Sequence, residues 1–187
     1  WKKLVDEVFA TIKGGGQVLM VYPLREKAED SEDSPGIGQL KSAQEIYEKW
    51  QGMLPGRVCW VHGQMPDDEK ASALAAMRER ERDLMVATTV VEVGIDLPHL
   101  RRVIVVHPDR HGLTTLHQIR GRVARKGGTG WCDLFLPYPV KETTMERLKV
   151  LEKTSDGFEV AEHDMRLRGI GDMSCSATSK PSEDFSR

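Results

Sequence analysis

The chain has 187 residues, with 27 Lys+Arg against 29 Asp+Glu and a formal net charge of −2. That balance excludes a uniformly basic nucleic-acid coat, so any cationic surface is local. Hydrophobic residues at 39% and charged residues at 30% fit one globular domain with room for a short appendage, and exclude disorder over the whole length.

Trp1–Ile12 carries apolar residues at positions 1, 4, 5, 8, 9 and 12, the stripe of an amphipathic helix. Gly14-Gly15-Gly16 then opens a β-branched run, Gly16–Tyr22, which predicts a strand. Residues 26–33 hold five acids and one Lys and lead into Ser34-Pro35-Gly36, the composition of a solvated loop. Leu40–Trp50 predicts a helix and Arg57–Val61 a strand. Pro66–Arg80 predicts a helix, with Pro66 at its start and Asp67, Asp68 and Glu69 in its first turn. Strands are predicted at Asp83–Thr88, Arg102–Val106 and Gly130–Leu136, and helices at Thr114–Gly121 and Lys141–Lys153. Residues 174–187 are polar and turn-rich, and are expected to be frayed or disordered. No internal repeat is present.

The strand runs are nearly continuous in apolar character, the mark of strands covered on both faces. With the helices between them they predict an α/β fold: an open parallel sheet with helices on both faces. In such sheets ligands bind at the carboxyl ends of the strands, so functional residues are expected just after each strand.

Several functions lack their signatures. The longest apolar runs, such as Val103–Val106, are too short to span a bilayer, and no signal segment opens the chain. Membrane association is therefore not expected. The chain begins at Trp1 without a Met, which reads as a piece of a longer protein. Cys59, Cys132 and Cys175 are too few and too scattered for a disulfide framework; they read as small apolar residues in a reducing, cytoplasmic protein. His107 and His111 flank Asp109 but lack a third metal ligand at suitable spacing, so no metal site is expected. The stretch from Gly36 to Ser42 looks like a phosphate loop until Leu40, where that loop needs Gly; it reads instead as a loop entering a helix. No other G-x-x-x-x-G-K-[ST] exists, nor a G-x-G-x-x-G after the first strand, which disfavours a dinucleotide enzyme.

Positive charge is concentrated. Residues 101–130 hold seven Lys/Arg and one acid, Asp109. Arg120, Arg122, Arg125 and Lys126 crowd the segment from Gln118 to Lys126, which has no acid. One reading is a solvated helix end complementing its dipole. The other is a forked cationic site for phosphate, since guanidinium groups pair bidentately with phosphate and stay charged. Arg122 and Arg125 are three apart and would share a face on a helical turn, placed to stabilise a transferring phosphoryl group.

Gln118-x-x-Gly121-Arg122-x-x-Arg125 resembles motif VI of superfamily two helicases, and residues 87–98 (ATTVVEVGIDLP) resemble their motif V. Gln17–Leu24 resembles the motif IV strand, and residues 61–65 (VHGQM) the segment after the next strand. Within that superfamily the phrases at 91–98, 112–123 and 156–164 resemble the RecG-like branched-DNA helicases over about residues 15–172. The related transcription-repair coupling factors typically read Glu-Ser-Gly where this chain has Glu92-Val93-Gly94.

The resemblance implies a RecA-like helicase C-terminal lobe over residues 1–140. It implies a helical, translocation-motif-like extension over 141–173, with the tail beyond. It implies that Arg122 and Arg125 reach the ATP γ-phosphate, with Gln118 in the same network. It implies that Gly94 and Asp96 lie near the nucleotide. Thr88, Thr89, His62, Gly63 and Arg168 would meet nucleic acid. For His62 and Gly63 a plain strand-to-helix turn is an equal alternative. The cofactor implied is ATP with Mg, bound mainly by an N-terminal RecA-like lobe of the same protein, and the partner is branched, forked or single-stranded DNA. The chain departs from the pattern at Ala124, where motif VI usually has Gly, and after Met173, where Gly-Thr-Arg-Gln-Ser-Gly is replaced. The alternative to a motor is a non-catalytic RecA-like nucleic-acid-binding or docking module.

Overall fold

The computed structural model describes residues 1–23, 37–88 and 96–172, with side chains for 1–23, 44–88 and 96–166. The tail from residue 173 and the acidic stretch at 26–33 lie outside the described residues. The elements in chain order are α1 (Lys2–Lys13), β1 (Gln17–Val21), α2 (Ile37–Met53), β2 (Val58–Val61), α3 (Asp67–Arg78), β3 (Leu84–Ala87) and β4 (Leu100–Val106). A 3₁₀ turn at Pro108–Arg110 follows, then α4 (Leu113–Arg120), β5 (Trp131–Phe135), α5 (Glu142–Lys153) and α6 (Gly157–Asp172). The largest shift from expectation is α2, which starts three residues earlier and ends three later. Its start at Ile37 agrees with a helix rather than a phosphate loop at 36–42. None of these helices is long and apolar enough to cross a membrane.

The strands form one sheet in the order β2-β3-β1-β4-β5, every neighbour parallel. All five residues of β1, at the centre, are buried. Side chains alternate between two apolar layers. Leu19, Val21, Val61, Met85, Val103 and Val105 face one side, where α3 adds Met77, α4 adds Leu113, Leu116 and Ile119, α5 adds Leu148 and Leu151, and α6 adds Val160. Val18, Met20, Leu84, Val86 and Ile104 face the other, where α1 adds Val8 and α2 adds Trp50. Helices thus cover both faces, as the continuous apolar runs require. The α5–α6 pair shares the first layer with the sheet rather than forming a core of its own.

Arg102, on β4, is the main polar anchor of the α1 side. Its side chain is 6% exposed and reaches Glu7 of α1 at 2.7 Å and Asp133 of β5 at 2.6 Å. Its Nε donates to Thr11 Oγ1 at 2.9 Å, and its guanidinium lies 5.1 Å from the Trp131 ring centroid. One buried cation therefore ties α1 to the edge strand β5. Replacing it by a neutral chain of similar length keeps the apolar stem but leaves two half-exposed carboxylates without a partner. Arg102→Met is expected to lower stability by about 2–3 kcal/mol in urea unfolding followed by circular dichroism.

Candidate functional site

Parallel strands place the loops at two opposed edges, about 15–20 Å apart for strands of five or six residues. At the carboxyl edge lie Thr88, one residue beyond β3, and His62 and Gly63, directly after β2. His62 is half-buried and stacks on Trp60 at 5.4 Å, and its carbonyl accepts from the Met65 amide at 3.1 Å. Gly63 is exposed. Thr88 is not the open donor that a strand end suggests. It is buried, its amide donates to Val61 O at 3.0 Å, and its hydroxyl has no hydrogen-bond partner among the described residues. Thr89 and Gly94 lie outside the described residues, as does the Arg168 side chain.

The expectation that every functional residue follows a strand end fails for the arginines. Each link between parallel strands must return to the opposite edge. α4 makes that return between β4 and β5, so the motif VI-like residues arrive at the amino edge. Asp96 arrives there too, four residues before β4; it is exposed, and its carbonyl accepts from Arg78 Nε at 3.2 Å. Gln118 is exposed near the end of α4 and has no hydrogen bond to either arginine among the described residues. Thus Asp96, Gln118, Arg122 and Arg125 share one edge, and His62, Gly63 and Thr88 share the other.

Arg122 and Arg125 do not share a helical turn either, because α4 ends at Arg120. The Arg122 amide donates to Ile119 O at 3.0 Å and the Val123 amide to Arg120 O at 3.2 Å, a tighter turn. Ala124 then takes φ +52°, and its amide donates to Leu100 O at 3.0 Å, fastening the loop to the start of β4. Gly127 and Gly128, both at φ +88°, turn the chain toward β5. The Arg122 side chain has no ion pair or hydrogen bond among the described residues. Arg125 is exposed, and its Nε donates only a long bond to Gly121 O at 3.4 Å. Both guanidinium groups therefore keep donors for an incoming anion.

The rest of the basic cluster is committed inward. Arg102 is the buried anchor, and Arg101 donates to Gly127 O. Arg120 Nη1 donates to Leu151 O at 2.5 Å and Thr154 O at 2.8 Å, and its Nη2 lies 2.8 Å from His117 Nδ1. At the other end of α4, the Leu113 amide points to Asp164 Oδ1 of α6 at 3.5 Å. A carboxylate at the helix start and a cation at its end both suit the helix dipole. The sequence pattern suggests neither of these two roles. Arg120 looked like one more phosphate ligand, and Asp164 gave no local signal.

A second polar cluster sits beyond the carboxyl ends of β4 and β5. His107 Nδ1 lies 3.1 Å from the Tyr138 hydroxyl, which donates to Asp109 Oδ2 at 3.1 Å. Arg147 of α5 donates to Asp109 O at 2.7 Å and His111 O at 3.1 Å. Burial lowers the pKa of His107, helped by Arg110, and of His111, helped by Arg147 and His107; Asp109 opposes both shifts. Among the described residues no group of three or more His, Cys, Asp or Glu could hold a metal ion. Burial also pushes the Cys59 thiol up to about 12 and the Cys132 thiol up to about 11, as for the small apolar residues expected.

Residues 1–127 match the family described as the helicase conserved C-terminal domain, and the chain belongs to that family. Within it, the chain is similar to RecG. It is 42% identical over 179 residues to the ATP-dependent DNA helicase RecG of Aquifex aeolicus, covering 92% of this chain and 21% of that protein. It is 36% identical over 173 residues to RecG of Staphylococcus aureus, covering 92% of this chain and 24% of that protein. The chain thus spans between a fifth and a quarter of these relatives. A solved structure of RecG bound to a three-way DNA junction superposes with a TM-score of 0.73 at 35% identity, covering 92% of this chain and 21% of that one. The SWI2/SNF2 ATPase core of Sulfolobus solfataricus in complex with dsDNA shares the fold, with a TM-score of 0.56 at 13% identity, over 81% of this chain and 29% of that one.

Two predictions come from these edges. Ala124 holds a left-handed conformation that costs an L-residue roughly 1–2 kcal/mol, partly offset by the looser unfolded chain of glycine. Ala124→Gly is expected to leave stability unchanged or raise it by up to about 1 kcal/mol, read as the urea midpoint. The lowered His107 and His111 pKa values mean that the folded chain binds fewer protons than the unfolded chain below pH about 6.5. Their contribution to stability is complete above that value and is lost as the pH falls below it. His111→Phe is expected to flatten this slope without loss of stability at pH 7, measured by urea titrations across the range.

Proposed function

We propose that this chain is the second motor lobe of an ATP-dependent DNA helicase or translocase that acts on branched DNA in recombination and repair. The observation that carries this reading is the loop at 121–130, which presents Arg122 and Arg125 at the amino edge with donors unspent, in a chain of the helicase C-terminal family. ATP with Mg supplies the phosphoryl group that is transferred to water, and is held mainly by an N-terminal RecA-like lobe of the same protein. Arg122 and Arg125 enter that cleft as fingers that stabilise charge on the γ-phosphoryl group. Gln118 and Asp96, on the same edge, orient the finger loop and meet the nucleotide, and Gly94 belongs to the same nucleotide set in this reading.

DNA runs along the carboxyl edge, where His62 and Gly63 meet its backbone, and Thr89 and Arg168 are further contacts of the same reading; the buried Thr88 supports the turn from beneath. Backbone contacts of this kind let a motor move over any sequence. Closure of the interlobe cleft then shifts one edge relative to the other lobe and advances the track. A cytoplasmic location belongs to the same reading.

The isolated chain is expected to show no DNA-stimulated phosphate release in a malachite-green assay, because it has no phosphate loop. In the longer protein, Arg122→Ala and Arg125→Ala are each expected to lower ATPase turnover about a thousandfold or more while DNA binding by fluorescence anisotropy is kept. Unchanged turnover in both variants would overturn the finger assignment and favour a non-catalytic docking module.

A further inference from the structure

Arg101 sits at an irregularity in the sheet. Gln17 of β1 pairs with Leu100 and the next residue, Val18, pairs with Arg102, so Arg101 is an extra residue with no partner across that ladder. A bulge of this kind re-aims a side chain out of the strand's alternation. Here the side chain is sent across the amino edge. Its stem lies flat on Gly16, where an added Cβ would stand 2.7 Å from Arg101 Cγ and 2.8 Å from Cβ. Its guanidinium donates to Gly127 O and lies against Gly128, where an added Cβ would meet Nη1 at 3.0 Å.

The finger loop is therefore held at two points of β4. The Leu100 carbonyl takes the Ala124 amide, and the Arg101 side chain takes the Gly127 carbonyl. The two tethers are adjacent on the strand and bracket residues 124–127, so they set both the height and the direction of the turn that follows Arg122 and contains Arg125. Among the described residues Arg101 has no acidic partner, and its neighbour Arg102 faces the α1 side with both carboxylates. The glycines at 16 and 128 leave the space the clamp occupies.

We propose that Arg101 is a positioning residue, aimed by the bulge in β4, that clamps the loop carrying Arg122 and Arg125 in the orientation needed to meet a nucleotide phosphate. It acts through the loop and does not touch the nucleotide. This rests on the finger reading above, and the experiment separates the two. In the longer protein, Arg122→Ala tests the fingers alone. Arg101→Met removes the donor and keeps the stem. Gly16→Ala keeps the Arg101 charge and pushes the stem off its seat.

Misplacement of a catalytic group by about 1 Å costs up to roughly a hundredfold in rate. Arg101→Met and Gly16→Ala are each expected to lower kcat for ATP hydrolysis by about tenfold to a hundredfold, with KM for ATP within about twofold. Arg101→Lys, which keeps a donor, is expected to recover part of the loss. In the 187-residue chain, hydrogen exchange at the Ala124 and Gly127 amides should be faster in Arg101→Met than in the parent. Normal kcat in Arg101→Met and Gly16→Ala, with Arg122→Ala inactive, would overturn the clamp and leave the fingers standing. Unchanged kcat in Arg122→Ala would overturn the fingers and, with them, the role of the clamp. An equal loss in Arg101→Met with unaltered exchange at both amides would also overturn it.

Discussion

Every strand pair in this sheet is parallel, and that single constraint organises the molecule. A chain that leaves a strand at the carboxyl edge can re-enter the sheet only at the amino edge, so each connection must cross a face. The crossings by α2, α3 and α4, with α1 leading into β1, clothe the sheet in helices. They also bring residues from late in each connection to the edge opposite the one where it began. The helicase-family residues divide along that line. His62, Gly63 and Thr88 stay where their strands end, and Asp96, Gln118, Arg122 and Arg125 are carried back.

The fold was largely legible because its cause is local and repeated. Runs such as Val18–Val21 and Val103–Val106 are apolar at every position, which only a doubly covered strand tolerates, and the amphipathic stripe of α1 stops at a glycine cluster. The site was legible in its residue types and less so in its geometry. Two arginines three apart suggest a shared helical face, but the helix ends at Arg120 because the next residues bend back to bond Leu100. Whether α4 would run one more turn depends on a carbonyl on another strand, which no local pattern records. The same holds for Thr88, whose type suits phosphate but whose amide is taken by Val61 of the neighbouring strand.

The basic cluster shows how composition can misdirect. Seven cations and one acid in residues 101–130 read as a surface for polyanions. In the fold, Arg102 satisfies two carboxylates under α1, Arg120 satisfies two carbonyls of the α5–α6 link, and Arg101 satisfies a third in the loop. Acids neutralise only Arg102, while the carbonyls take up the donors of Arg101 and Arg120, so the local count overstated the donors left free. Fewer guanidinium donors remain open at the amino edge than the sequence implied, and those of Arg122 and Arg125 can be directed at one anion.

The sharing of one apolar layer between the sheet and the α5–α6 pair has a mechanical consequence. Leu148, Leu151 and Val160 join the apolar layer by packing on α4, while Arg120 and Asp164 fix the two ends of α4 to the same pair. The hairpin is thus a spoke rooted in the lobe. α6, with 16 residues, is about 24 Å long, so a rotation of the lobe by about 10° sweeps a spoke of that length through roughly 4 Å at its far end. A small rotation of the lobe is thereby converted, by leverage alone, into a displacement of a few ångströms at the far end of α6.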